Sequence, residues 1–168
     1  QLTKPVNMNG AFTTTAFFTV GLPFKDKKLK GSSLNFTTLG LFNKDVSLLY
    51  KQKNIGKTIT LTQTAGANFS LKEKWDLSAN ASLSYYNIKY SVNTALNDNY
   101  LSQTYSADIS YTSKKGIILS TDLDYYVNSG RTDGYNQSIP LWNASMSKQL
   151  FKKKNGELKF SVNDILNQ

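Results

Sequence analysis

Asp122 and Asp124 alternate in the run LSTDLDYY, and Asp108 precedes them by one strand's length. Carboxylates at this spacing share one face of a β-strand, where they could hold a cation, accept hydrogen bonds from a sugar or carry acid–base chemistry. The plainer account is that they face water, or pair with a Lys or Arg across a polar interior. A second group, Arg131, Asp133 and Tyr135, lies in the polar run NSGRTDGYNQS. It could contact a ligand, because loops on a rigid scaffold carry specificity. It could equally be a turn built on Gly130 and Gly134. A calcium loop needs several closely spaced carboxylates, and Asp133 stands alone between Asn128 and Asn136.

The chain contains no histidine and no cysteine. Histidine-based triads and zinc sites are therefore unavailable, as are disulfides and thiolate metal sites. Glycine-rich phosphate motifs are absent. The sequence assigns no catalytic, cofactor or metal residue, and a non-enzymatic protein is expected.

The elements that position these residues show themselves through charge. Four lysine clusters punctuate the chain: KDKKLK at Lys25–Lys30, KEK at Lys72–Lys74, SKKG around Lys114–Lys115, and KKK at Lys152–Lys154. Their centres lie 45, 41 and 39 positions apart, from Lys28 to Glu73, Lys114 and Lys153. This is the period of repeated up-and-down hairpins with one basic end. A formal charge of +9 confined to turns does not form a nucleic-acid groove, so no nucleic-acid partner is expected. It could attract anionic lipid headgroups, or simply mark the water boundary.

Between the clusters the residues alternate. Phe12, Thr14, Ala16, Phe18, Val20, Leu22 and Phe24 form one face, with small and mostly polar residues opposite. Ile59 to Leu71 repeats the pattern against a ladder of threonines, whose branched side chains suit a pleated surface. Further strands are predicted from Leu34, Leu77, Leu101, Leu119, Trp142 and Leu158, making eight. The parity of apolar residues shifts near Thr37–Thr38, which suggests a bulge or weak patterning, and shifts again between Tyr85 and Tyr86. Longer polar loops are predicted at Asn43–Gly56, Asn93–Asn99 and Asn128–Ser138, opposite the short lysine turns.

Short basic turns, longer loops and nearly uncharged alternating strands are what lipid-crossing strands require. Aromatics near both strand ends fit two interfacial girdles: Phe24, Trp75, Tyr111 and Phe151 at one, and Tyr85, Tyr86, Tyr100, Tyr125 and Tyr126 at the other. From Trp142 to Phe151, nine steps at ~3.3 Å and ~40° tilt span roughly 23 Å, near the height of an apolar band. The expected fold is all-β, an antiparallel up-and-down transmembrane-type β-barrel of about eight strands. No run reaches the ~18 apolar residues of a membrane helix. The start QLTKPVNMNG has no signal-peptide pattern, so the chain reads as a mature form or an excised piece.

Leu119–Gln168 resembles the C-terminal barrel region of a Bacteroidetes outer-membrane β-barrel family related to the TonB-dependent receptors. The resemblance rests on the Asp122–Asp124 strand, GRTDGYNQ, IPLWNAS running into KQLFKKK, and GELKFSVNDILNQ. It implies that residues 1–168 are one segment of a larger barrel in the outer membrane of a Gram-negative bacterium. It also implies uptake or binding of a nutrient, with outer-membrane lipid, a plug domain and a surface lipoprotein as partners. No plug is recognisable in these residues. The rival is a soluble or surface β-barrel that binds carbohydrate or protein. In that case Phe12, Phe18, Leu61, Leu83 and Leu123 would point inward to a core.

Overall fold

The computed structural model describes residues 7–72, 74–130, 136–151 and 155–167. Eight strands follow one another: β1 (Phe12–Pro23), β2 (Ser33–Leu49), β3 (Gln52–Leu71), β4 (Trp75–Tyr90), β5 (Asp98–Thr112), β6 (Ile117–Ser129), β7 (Gln137–Leu150) and β8 (Gly156–Val162). Each pairs antiparallel with the next, in the order β1 to β8, to give one up-and-down sheet. β1 and β8 are its two edges and do not pair with each other, so the sheet is open. No helix among the described residues is long and apolar enough to cross a membrane.

The alternation in sequence becomes two chemically distinct faces. Opposed residues across a ladder project to the same side. One row runs Leu22, Leu34, Ala67, Ala79, Ala107, Leu123 and Trp142 across β1 to β7. The row one step away runs Asn35, Gly66, Asn80, Ser106 and Asp124 across β2 to β6. Apolar residues therefore collect on one face and hydroxyls, amides and carboxylates on the other.

Nothing among the described residues packs over the apolar face. Among the described residues there is no buried hydrophobic side chain, and Phe18 is 67% and Leu61 54% exposed. Phe12, Leu83 and Leu123 are exposed as well. The inward core that a soluble barrel would need is absent among the described residues. The sheet is held by its ladders, with hydroxyl pairs such as Thr62–Ser84 at 2.8 Å and Thr64–Ser82 at 3.1 Å along the polar face.

No bulge interrupts the ladders at either parity shift, so weak patterning is the explanation that holds. The β1–β2 and β2–β3 registers run unbroken through Thr37 and Thr38, and β3–β4 runs unbroken through Tyr85 and Tyr86. The shift in parity instead places Leu39 and Leu41, with Phe17 beside Leu39, on the polar face. Tyr86, Ile88 and Tyr90 join them there, opposite Thr60, Thr58 and Gly56.

The loop predicted at Asn43–Gly56 is also a strand hairpin. β2 and β3 stay paired out to Leu49 and Gln52, and only Tyr50 and Lys51 turn the chain, at φ 51° and 66°. Two consecutive positive φ values mark the turn whose twist suits a two-residue hairpin. The 20 residues of β3 extend roughly 50 Å in height at ~40° tilt, about twice the ~25 Å of an apolar band.

The connections at the lysine end are not uniformly short: nine residues, 24–32, join β1 to β2, whereas four, 113–116, join β5 to β6, and residues 73 and 152–154 of the other two lie outside the described residues. In the first, the Asp26 carboxylate accepts from the Lys28 amide at 2.7 Å and opens a single 3-10 turn at Lys27–Leu29. Gly31, at φ 89°, then returns the chain to Ser32, whose hydroxyl is buried and accepts from the Ser70 amide at 3.0 Å.

Candidate functional site

Ladder register brings three of the carboxylates together on the polar face. Asp108 stands opposite Ser78 on β4 and Asp122 on β6, while Asp76 occupies the next row opposite Ser110. Together with Asn68, Ser70 and Ser120 they line a recess of about 430 Å³. Neighbours already engage them. The Ser78 hydroxyl donates to Asp108 Oδ2 at 2.6 Å, and Asn143 Nδ2 donates to Asp122 Oδ2 at 2.7 Å. Asp124 projects to the same face two residues along, flanked by Ser106 and Leu141.

Carboxylates among hydroxyls and amides make an acceptor-rich, hydrated wall. Such a wall can bind a polyhydroxylated or cationic solute weakly at many points. No group of three or more metal-ligating side chains occurs among the described residues. Within the sheet Ser78 and Asn143 engage two of the carboxylates, Asp108 and Asp122. Arg131, Asp133 and Tyr135 lie outside the described residues.

Toward the long-loop end the polar face becomes aromatic. Tyr86 and Tyr100 stack with centroids 4.6 Å apart and planes at 14°. Tyr126 projects to the same side, opposite Thr104 and Ile139. Grouping these tyrosines with an interfacial girdle is therefore corrected: only Tyr85 and Tyr125 of that set belong to the apolar face, the latter beside Tyr105 at 6.4 Å. At the lysine-turn end, Trp75 and Tyr111 meet at 4.6 Å and Phe24 and Phe69 at 5.5 Å. That girdle stands.

The turns themselves form a further concavity of about 500 Å³, lined by Lys27, Lys28, Lys30 and Lys72 with Leu29 and Leu71 between them. Charge also occurs where the strand reading placed none. Lys44, Lys57 and Lys89 stand directly opposite one another on β2, β3 and β4, on the apolar side near the long-loop end. Single-strand patterning missed them, since the row exists only through register.

No curated protein and no solved structure matches the chain. A family model does, over residues 1–168, for an outer-membrane protein β-barrel family. The open antiparallel sheet, with an apolar face that has no core to cover it and a hydrated opposite face, is what a lipid-crossing barrel wall looks like from inside and outside. The chain belongs to the outer membrane protein β-barrel family and resides in the outer membrane.

Proposed function

We propose that this chain forms part of the wall of a large outer-membrane barrel of the TonB-dependent receptor type, engaged in nutrient uptake or binding. The observation that carries the reading is the polar face. Its carboxylates, hydroxyls and stacked tyrosines are arranged to meet a solute, while the opposite face meets lipid. The open edges add support: backbone groups along β1 and β8 must be paired within a bilayer, and further strands would do so in a wider barrel. The resemblance of Leu119–Gln168 to Bacteroidetes barrels points to that class, with a plug domain and a surface lipoprotein as partners. The role is read as non-enzymatic, since no histidine is present and Asp108 and Asp122 are engaged by a hydroxyl and an amide.

The test is energised uptake in the parent bacterium. Deleting the gene should abolish accumulation of at least one bulky nutrient that a protonophore also blocks. The double substitution Asp108→Asn and Asp122→Asn should slow that uptake with the barrel still folded in the membrane. Unchanged uptake across the nutrient panel after deletion would overturn the reading.

A further inference from the structure

The row Lys44, Lys57 and Lys89 is the least expected feature of the sheet. Direct opposition across adjacent strands brings successive Cβ atoms to about 4.5–5.5 Å, and like charges so placed repel. The closest carboxylates in register do not share their face. Asp45 stands opposite Gly56, and Asp98 opposite Ile88, both on the polar side. Among the described residues no ion pair engages the three ammonium groups. Lys44 Nζ lies over the Phe12 ring, 5.8 Å from its centroid.

Their height decides what can neutralise them. The row directly beneath on the same face is Phe42, Ile59, Asn87 and Asn99, and the next contains Leu61, Tyr85 and Leu101. Lys57 and Lys89 are exposed and Lys44 half-exposed. The row lies fourteen residues along β3 and β4 from the Leu71–Trp75 pair, roughly 35 Å in height at ~40° tilt, so the cations stand at headgroup level just above a ~25 Å apolar band. Strands spaced about 4.8 Å apart place the three within roughly 10 Å. That suits one phosphate held by several point charges, its acyl chains lying against the rows below.

We propose that Lys44, Lys57 and Lys89 form a binding site for the phosphate headgroup of an anionic membrane lipid. The site is separate from the polar face and does not depend on what the barrel imports. A lipid is favoured over a free anion because the row borders lipid-facing side chains, so headgroup and chains are held together. The Phe12 ring under Lys44 restrains one ammonium in advance, and the rigid ladders fix the spacing of the other two.

The full protein, extracted into a neutral maltoside detergent, is tested by native mass spectrometry with phosphatidylglycerol or phosphatidylcholine added. Phosphatidylglycerol should be retained preferentially. The double substitution Lys57→Gln and Lys89→Gln should weaken retention about 25-fold at low ionic strength, at about fivefold per lysine. Lys57→Arg with Lys89→Arg should preserve it. Excess inorganic phosphate should not displace the lipid; if it does, the site is one for free phosphate and the lipid assignment is overturned. Equal retention by the Gln variant overturns the site itself. A second measurement needs no variant: amine acetylation of Lys44, Lys57 and Lys89 should be suppressed by phosphatidylglycerol and not by phosphatidylcholine. Equal labelling under both conditions overturns the proposal.

Discussion

Asn143 joins two parts of the polar face through its one amide group: Nδ2 donates to Asp122 Oδ2 at 2.7 Å, and Oδ1 accepts from the Asp164 backbone amide at 2.9 Å. It thereby orients the carboxylate most deeply set in the recess and ties the segment after β8 back to β7. The bond to Asp122 is charge-assisted, the stronger kind. Asn143→Leu keeps the volume and loses both bonds. It should destabilise the folded barrel by about 2–4 kcal/mol, measured as a lower urea midpoint in lipid vesicles with an unchanged slope.

Leu83 and Ser82 are neighbours on β4 that project to opposite faces, Leu83 opposite Gln63 and Gln103, and Ser82 opposite Thr64 and Thr104. A cation at the position of Leu83 lies within the lipid-facing band, whereas one at Ser82 meets water. Leu83→Arg should cost about 2–4 kcal/mol and Ser82→Arg about 0–1 kcal/mol. Equilibrium unfolding from lipid vesicles compares the two directly. A reversed order would exchange the faces.

These faces were legible in β1 and β3, where one side is nearly all apolar and the other small or hydroxylated. They were illegible in β2 and β4 because Leu39, Leu41, Tyr86 and Ile88 put apolar side chains on the polar face. A period of two within one strand cannot distinguish that from a bulge; only the partner's register can. The β2–β3 hairpin was hidden for a different reason. Its arms carry Asn43, Lys44, Asp45 and Asn54, which fit strands poorly, and the turn Tyr50–Lys51 lacks the glycine or asparagine that usually signals two positive φ angles. The recess was half legible. The spacing of Asp122 and Asp124 placed them on one face, but Asp76, Ser78 and Asn143 reach Asp108 and Asp122 only through pairing between strands. The lysine row arises in the same non-local way.

The two tryptophans report depth independently. Trp75 opens β4 at the lysine turn beside Tyr111, whereas Trp142 lies eight residues along β7 from Leu150, roughly 26 Å along the strand and about 20 Å in height at ~40° tilt. The two therefore mark opposite borders of the apolar band. With the other tryptophan replaced by Phe, each should be quenched more by lipids brominated near the headgroup than by lipids brominated at mid-chain. A mid-chain maximum for either would contradict the placement of these borders.

Ser32 and Ser33 separate a structural hydroxyl from an incidental one. The Ser32 side chain is 2% exposed and its Oγ accepts from the Ser70 amide at 3.0 Å, across the gap between the first basic turn and the end of β3. Ser32→Ala leaves that amide without its side-chain acceptor at a part-buried position. The loss should be about 0.5–1.5 kcal/mol, the net worth of a typical intramolecular hydrogen bond. The Ser33 hydroxyl receives only the Asn35 side-chain amide, at 3.3 Å, where solvent can take its place. Ser33→Ala should fall within about 0.5 kcal/mol of the parent. Hydrogen exchange at the Ser70 amide sharpens the comparison: it should accelerate in Ser32→Ala and stay unchanged in Ser33→Ala. Slow exchange in both would mean that the ladder, and not the turn, protects the end of β3.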